Sequence, residues 1–373
     1  MLIEAPDSQE ANPQGPPLEG TSVAAWVKRP TGLVALARSA LRRAGLALRW
    51  AMIGASWAFV AGLVVVSLFH LAHREPWDSL VGLINATPWV YMPAWATAAV
   101  GLFWRRRGLA VVSVVLVALQ LWWVVPDFNP VSHLVKARPG DVSVQLFDWN
   151  CSQANTNLTE VAGEIRRDRP EVVAMEELTP AGFRSLSATG VMAHYRHRLV
   201  MPMTGSYGMA LWSTFPLSKA TVWYSLGHPE LRAWLELPGG RRLRLDVVHV
   251  VAPYGYGGPV PWQAQLGVVR DQLATEPHPL VVVGDFNATW FDWHFQSVLG
   301  TGLRDAAVLA GQGWRMTWPR DQGLVVPYLA IDHVLLSKGV GLESYQVSHG
   351  GAGSDHHPVI VTLLMGQSVT HGR

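Results

Sequence analysis

LVVVGDFNAT, Leu280–Thr289, runs from an apolar β-branched segment straight into Gly-Asp-Phe-Asn. A short apolar run closed by turn-forming residues reads as a buried strand, and the polar residues at its end fall where loops present side chains to a cleft. Taken alone, GDFN is a turn more often than a site, because Asp and Asn are common turn formers after strands. The same grammar recurs on both sides of it. VSVQLFDWN, VVAMEEL, YRHRLVM, GMALWS, LRAWLEL, RRLRLDVVHVV, AIDHVLLS and HPVIVTLL also read as strands. Helical patterns lie between some of them: Asn157–Arg169, Pro261–Thr275 with proline at its start, and Trp293–Leu299. Tight strand pairs beside strand–helix units predict an α/β (α+β) domain, a mixed sheet pair with helices outside.

Polar residues recur at these strand ends. Asn150 ends the first strand, Glu177 follows VVAME, and His249 lies in DVVHV. Asp285 and Asn287 close LVVVGDFN, Asp332 sits in AIDHVLLS, and Asp355 with His356 opens the last strand. Each has a dull alternative: a turn former, a core-satisfied histidine in His249, a solvated strand end in Glu176 and Glu177. Six such positions at successive strand ends weigh more than any one. In GSDHHPVIV, Gly353–Val361, the His-Asp neighbours also suit a metal motif of the helical phosphohydrolase type, but Pro358 and the β-branched run after it favour a strand entrance. Consecutive strand side chains point to opposite faces, so His356 and His357 do not both enter one cleft.

The first third of the chain is different. Hydrophobic residues make up 49% of the sequence and charged residues only 15%, against a typical charged share of about 25%, which suggests that part of the chain lives in lipid. Trp50–Phe69, Leu80–Trp104 and Gly108–Val125 are uncharged stretches of 20, 25 and 18 residues, each near the ~20 residues that a membrane helix needs. The second holds Asn85, Pro88 and Pro93, which predicts a kink or close packing. Trp50, Trp104, Trp122 and Trp123 lie near stretch ends, where indole suits an interface. Lys28, Arg29, Arg38, Arg42, Arg43 and Arg49 precede the first stretch, and Arg105, Arg106 and Arg107 follow the second. The positive-inside tendency then places the N-terminus in the cytoplasm and everything after Pro126 outside it, as a multi-pass protein of the cell membrane. The predicted division is a largely disordered cytoplasmic tail over 1–46, three transmembrane helices over 47–126, a linker over 127–140, the α/β domain over 141–366, and a tail over 367–373.

Charge divides the same way. Residues 1–140 carry 12 Lys+Arg against 7 Asp+Glu, a balance of +5, and residues 141–373 carry 17 against 20, a balance of −3. A mildly acidic domain offers no bulk electrostatic capture of nucleic acid. The single cysteine, Cys151, excludes an internal disulfide framework and a cysteine-rich zinc site.

In order along 141–366, FDWN, PEVVAMEELTP, YGMALWSTFPL, DVVHV, VVVGDFNAT, LRDA, TWP, AIDHVLLS and SDHHPVIV resemble the endonuclease/exonuclease/phosphatase superfamily of metal-dependent phosphoesterases. The resemblance implies a two-sheet β-sandwich flanked by helices, a four-layer αββα fold. It implies Mg²⁺, with Mn²⁺ as the alternative, held by Glu177 and Asn150 with Asp355 close by. It makes His356 the base, Asp332 the carboxylate that fixes its tautomer, Asp285 the group orienting water or the leaving group, and Asn287 and His249 donors to phosphoryl oxygens. Glu176 stands where the family usually has Gln, Thr214 follows Ser213 where many members have a basic residue, and Ala330 replaces a frequent arginine. These departures leave the substrate open. A lipid headgroup or lipid-linked phosphate at the bilayer is favoured, with TWFDWHF, Thr289–Phe295, as its aromatic seat, although Phe291 and Phe295, four apart, also read as the buried face of a short helix. The alternatives are an extracytoplasmic nuclease on DNA or RNA, and a non-catalytic binding module on the same scaffold.

Overall fold

The computed structural model describes residues 32–255, 257–274, 279–320 and 323–366. Residues 1–31 of the predicted tail, with Lys28 and Arg29, Thr275 at the predicted end of a helix, and the 367–373 tail lie outside the described residues.

Five helices come first: α1 Gly32–Leu71, α2 Asp78–Asn85, α3 Thr87–Val90, α4 Met92–Phe103 and α5 Arg107–Asp127. α1 starts well inside the segment expected to be a disordered tail, because residues 32–46 are rich in Ala, Leu and Arg and hold no proline. The second apolar stretch does not form one spanning helix. Pro88 and Pro93 each sit in the first turn of a new helix, where the missing N–H costs nothing, and the stretch is cut into α2, α3 and α4. The 12 residues of α4 are too short to cross a bilayer alone. Among the described residues, α1 from Val34 and α5 are the two helices long and apolar enough to cross a membrane by length and composition.

The remaining elements alternate: β1 Val142–Asn150, α6 Thr159–Asp168, β2 Val172–Glu176, α7 Pro180–Ala188, β3 His197–Met201, β4 Met209–Ser213, β5 Leu217–Ser225, β6 His228–Leu237, β7 Arg241–His249, α8 Val260–Ala274, β8 Leu280–Asp285, α9 Trp293–Leu299, β9 Arg304–Asp305, α10 Ala306–Leu309, β10 Asp332–Leu336, β11 Val340–Val347 and β12 Val359–Met365. They build two six-stranded mixed sheets, ordered β11-β12-β1-β2-β4-β3 and β5-β6-β7-β8-β10-β9. Val144, Leu146, Val172, Ala174 and Leu211 of the first sheet meet Leu245, Val247, Val281, Val283 and Val334 of the second in one buried core, each contributing roughly 1.5–3 kcal/mol. Phe147, Trp149 and Met175 on the first sheet's outer face pack with Val161 and Ile165 of α6 and Leu186 of α7. Val248, Leu280 and Val282 on the second sheet's outer face pack with Leu266 of α8 and Phe295 of α9. The expected four-layer sandwich is present.

The helical segment is more than a tether. Val81 of α2 is part of the second sheet's outer core. His70 Nε2 lies 2.9 Å from the Phe291 carbonyl, the His73 ring stacks on Trp293 at 3.7 Å, and Trp89 Nε1 donates to the Tyr328 carbonyl. Glu75 and Asp292 are both buried here, and burial raises both carboxyls; the Glu75 charge adds to the rise at Asp292, while the hydrogen bond with Asp292 lowers Glu75. The aromatic stretch after GDFNA therefore meets protein. Phe295 is fully buried in α9 and Phe291 nearly so, as the helix-face reading predicts, while Trp293 is 43% exposed.

Candidate functional site

Period-2 alternation carries the inner face of each sheet into the site. Continuing Val144 and Leu146 along β1 gives Asp148 and Asn150, and continuing Val172 and Ala174 along β2 gives Glu176. In the second sheet, Val247 leads to His249, Val283 to Asp285, and Val334 back to Asp332. Register then aligns them. His249 pairs with Asp285 across parallel β7/β8, and Asp285 pairs with Asp332 across antiparallel β8/β10, so the three stand side by side on one face. Asn150 pairs with Glu176 in the facing sheet.

Loop positions complete the set by leaving the pleat. Glu177 follows β2, where alternation alone would turn it outward. Its backbone is left-handed at φ 54, as is that of Asn287 at φ 48, and non-glycine residues adopt this region only where the surroundings hold them. Gly284 has φ 131, and a Cβ there would come 2.0 Å from the Val248 carbonyl oxygen, so only glycine lets β8 approach β7 this closely.

Glu177, His249, Asp285, Asn287, Asp355 and His356 line one cleft of about 300 Å³. His356 Nδ1 is 3.0 Å from both Asp332 carboxylate oxygens and its Nε2 is 3.7 Å from Asp285 Oδ2. Asp332 is itself held by Thr317 Oγ1, which accepts from its N–H, and Trp318 Nε1 donates to Asp355 Oδ2 at 3.1 Å, so the Thr-Trp-Pro motif fixes two of the acids. Burial alone would lower the His356 imidazole. The charges of Asp332, Asp285 and Asp355 outweigh it and push the group up to about 10. Burial also raises Asp285 to about 6, against the lowering effect of His356.

Donor and acceptor logic constrains the rest. Gln153 N–H donates to Glu177 Oε2 and Asn150 Nδ2 donates to Glu177 Oε1 and, at 3.0 Å, to Asp285 Oδ2. The Asn150 oxygen accepts from the Ser152 N–H, so its amide nitrogen faces the carboxylates and the oxygen expected to hold a cation faces away. Asn287 donates from Nδ2 to the Val250 carbonyl and to Asp285 Oδ2, and from its backbone to Asp285 Oδ1. That arrangement buttresses Asp285. His249 Nδ1 lies 3.0 Å from the Ser206 carbonyl, so that nitrogen carries a proton, and Nε2 stands 3.6 Å from Glu177 Oε1. Nε2 can donate only when the ring carries both protons.

The carboxylates of Glu177, Asp285 and Asp355 that line the cleft suit a hard cation, which takes oxygen ligands from one or two carboxylates. Among the described residues, the ligand atoms of Asp285, Asp332 and His356 all lie within 4.8 Å of one another, and Glu177 and Asp355 open on the same cleft. Below them Asp148 and Glu176 are fully buried against each other. Burial, and then the neighbouring carboxylates, hold both well above the usual carboxylate range. His357 packs near His349 and donates its N–H to Thr317 O, so the structure separates the two histidines.

Sequence reasoning missed Asn85 of α2, Tyr254 and Trp318, which line the same cleft. A polar Asn inside an apolar stretch was the one available signal for Asn85. It also missed the reason for LRDA. His333 Nδ1 is 2.7 Å from Asp305 and its Nε2 is 3.0 Å from the Ala288 carbonyl, so the outward-facing neighbour of Asp332 pins the loop after GDFN.

The profile of the Endonuclease/Exonuclease/phosphatase family matches residues 149–356, more than half of the chain. A UPF0294 protein of Vibrio cholerae is 25% identical over 240 residues, covering 60% of this chain and 79% of its own. Humanized D. rerio TDP2 with 14 mutations superposes with a TM-score of 0.50 at 18% identity, covering 59% of this chain and 98% of its own. D. rerio TDP2 complexed with single strand DNA product gives the same TM-score, identity and coverage.

Proposed function

As a member of the endonuclease/exonuclease/phosphatase family, and so a metal-dependent phosphoester hydrolase, this chain acts, we propose, as a membrane-anchored, extracytoplasmic, Mg²⁺-dependent phosphoesterase. The observation that carries the catalytic part is the placement of His356 between Asp332 and Asp285, beside Glu177. Glu177 and Asp355 would hold the cation, Mg²⁺ first and Mn²⁺ as the alternative, while the Asn150 amide nitrogen orients Glu177 and Asp285. When bound, that ion neutralises phosphoryl oxygens and lowers the cost of charge build-up.

The chain's own groups supply the rest. Asp332 commits Nδ1 of His356, which leaves Nε2 as the one nitrogen able to exchange a proton in the cleft. Asp285 faces that nitrogen at 3.7 Å and orients the attacking water or the leaving oxygen. His249, in the form that carries a proton on Nε2, donates to a phosphoryl oxygen. Asn287 serves mainly to aim Asp285.

Support for the anchored, outward-facing arrangement comes from α1 and α5. Only a third of each apolar window is buried within the chain, and Phe59, Leu68, Val111 and Val115 are exposed. Such faces suit lipid. Arg105–Arg107 precede α5, and the positive-inside tendency puts that end in the cytoplasm, which requires α3 and α4 together to carry the chain back across the bilayer between α1 and α5. The substrate favoured by this arrangement is a phosphoester carried by a lipid, reached at the bilayer surface.

The test is hydrolysis by the full chain in detergent, with Mg²⁺, of phospholipids, single- and double-stranded DNA, RNA and phosphomonoesters. Lipid preference abolished by chelator supports the reading. Preference for nucleic acid replaces it with a nuclease, and no cleavage of any phosphoester with any divalent ion leaves a binding module.

A further inference from the structure

Asn85 is the last residue of α2, 3% exposed, yet it lines the cleft that holds His356 and Asp285. Its bonds run to the loop directly after GDFN. Thr289 N–H donates to Asn85 Oδ1 at 3.0 Å, and Thr289 Oγ1 lies 3.0 Å from the same oxygen and 3.1 Å from the Asn85 carbonyl. A backbone N–H only donates, so the atom facing it is the amide oxygen and the orientation of the Asn85 amide is fixed. Both lone-pair directions of that oxygen are used, and the nitrogen Nδ2 makes no hydrogen bond among the described residues. A nearly buried asparagine, its amide oxygen anchored and its amide nitrogen without a protein acceptor among the described residues, thus lines the cleft that holds Glu177, Asp285 and His356, as well as the smaller cavity beside it. The same helix closes the cleft wall further along: a Cβ on Gly82 would meet the Tyr254 hydroxyl at 3.0 Å, and Tyr254 also lines the cleft.

We propose that Asn85 donates from Nδ2 to an oxygen of the bound phosphoryl group, so that α2 supplies one of the donors of the active site. The proposal deepens the phosphoesterase reading and rests on it for the identity of the cleft. It makes the helical segment part of the machinery. The residue comes from the segment between the two long apolar helices, outside the region matched by the family profile. Substrate affinity thereby becomes dependent on how α2 is seated.

Asn85→Asp is one informative substitution, because a carboxylate still accepts both Thr289 hydrogen bonds while the donor is replaced by an anionic oxygen. Asn85→Ser, which keeps a short acceptor and loses the amide nitrogen, is the second. The probe is inorganic phosphate, titrated calorimetrically into the full chain in detergent with Mg²⁺ at pH 8, alongside thermal midpoints. Loss of a hydrogen bond to a charged group predicts phosphate binding weaker by roughly tenfold or more in both variants, with midpoints close to the parent. A purely structural Asn85 predicts unchanged phosphate affinity in Asn85→Ser, since the charge added in Asn85→Asp disfavours phosphate by itself. Unchanged affinity in either folded variant, or a parent that binds no phosphate at millimolar concentration, overturns the proposal. Failure of the enzymatic reading looks different: no turnover on any phosphoester, read without reference to these variants.

Discussion

His356 and Asp332 share a bifurcated contact, Nδ1 standing 3.0 Å from each carboxylate oxygen, although Asp332 opens β10 of the second sheet and His356 lies in the loop leading into β12 of the first. The pair fixes the tautomer and supplies the largest upward push on an imidazole that burial would otherwise lower. In Asp332→Asn that push disappears. The His356 titration, followed by NMR of the ring in metal-free protein, should move down from about 10, and turnover should fall by roughly 10²-fold or more. An unmoved titration would remove Asp332 from this role.

Glu177 should be felt first in metal dependence. Its carboxylate accepts from the Gln153 N–H at Oε2 and, at the longer distance of 3.3 Å, from the Asn150 amide at Oε1; in Glu177→Gln the side chain keeps the first and loses the second, so the fold should survive. The Mg²⁺ concentration giving half-maximal activity should rise by roughly tenfold or more, because one anionic ligand is lost. A metal titration of activity that leaves this midpoint in place would assign the ion to other residues.

Gly284→Ala tests the geometry beneath the site. The new methyl would sit 2.0 Å from the Val248 carbonyl oxygen at a φ of 131 that L-residues rarely adopt. Relief requires β7 and β8 to separate, and these strands align His249 with Asp285. The variant should lose several kcal/mol of stability, on the order of 3 or more, and express as aggregated or inactive protein. A parent-like thermal midpoint would contradict the close approach.

The orientation of the anchored protein is tested by a reporter fused after Met365, the end of β12. A phosphatase reporter active only outside the cytoplasm should be active there, and a fluorescent reporter that folds only in the cytoplasm should stay dark. The reverse pattern would invert the topology.

Much of the site was legible because the strands obey period 2. Once LVVVGDFN and DVVHV read as strands, alternation and register bring His249, Asp285 and Asp332 onto one face. The strands that escaped notice, β5, β9 and β11, are all sheet edges, half-exposed and polar, where no continuous apolar run forms. Three features had no one-dimensional signal. The left-handed turn at Glu177 aims a side chain that alternation would send outward. The donor orientation of Asn150 is set by the Ser152 N–H. The break of the second apolar stretch was announced by Pro88 and Pro93, but its consequence, α2 docked on the second sheet with Asn85 in the cleft, depends on a partner more than 200 residues away, Thr289.

Stability should fall as pH rises through neutrality, and Glu230 is the reason. It is fully buried on β6, accepting from the Ser225 hydroxyl, Gln265 Nε2 and the His249 N–H, and burial outweighs these bonds to push its carboxyl up from 4.5 to about 8. Below 4.5 both folded and unfolded chains hold the proton, so the group is neutral in its effect. Between 4.5 and about 8 the unfolded chain releases the proton while the folded chain keeps it. Unfolding is then favoured by about 1.4 kcal/mol per pH unit, accumulating to roughly 3–6 kcal/mol, and the loss levels off once the folded group ionises. Glu230→Gln removes the proton-linked part, so the slope of stability against pH should flatten across this window whatever the variant's absolute stability. Chemical denaturation of the full chain in detergent at several pH values reads that slope, and a variant retaining the parent's slope would show that other buried acids, Asp148 and Glu176 among them, carry it.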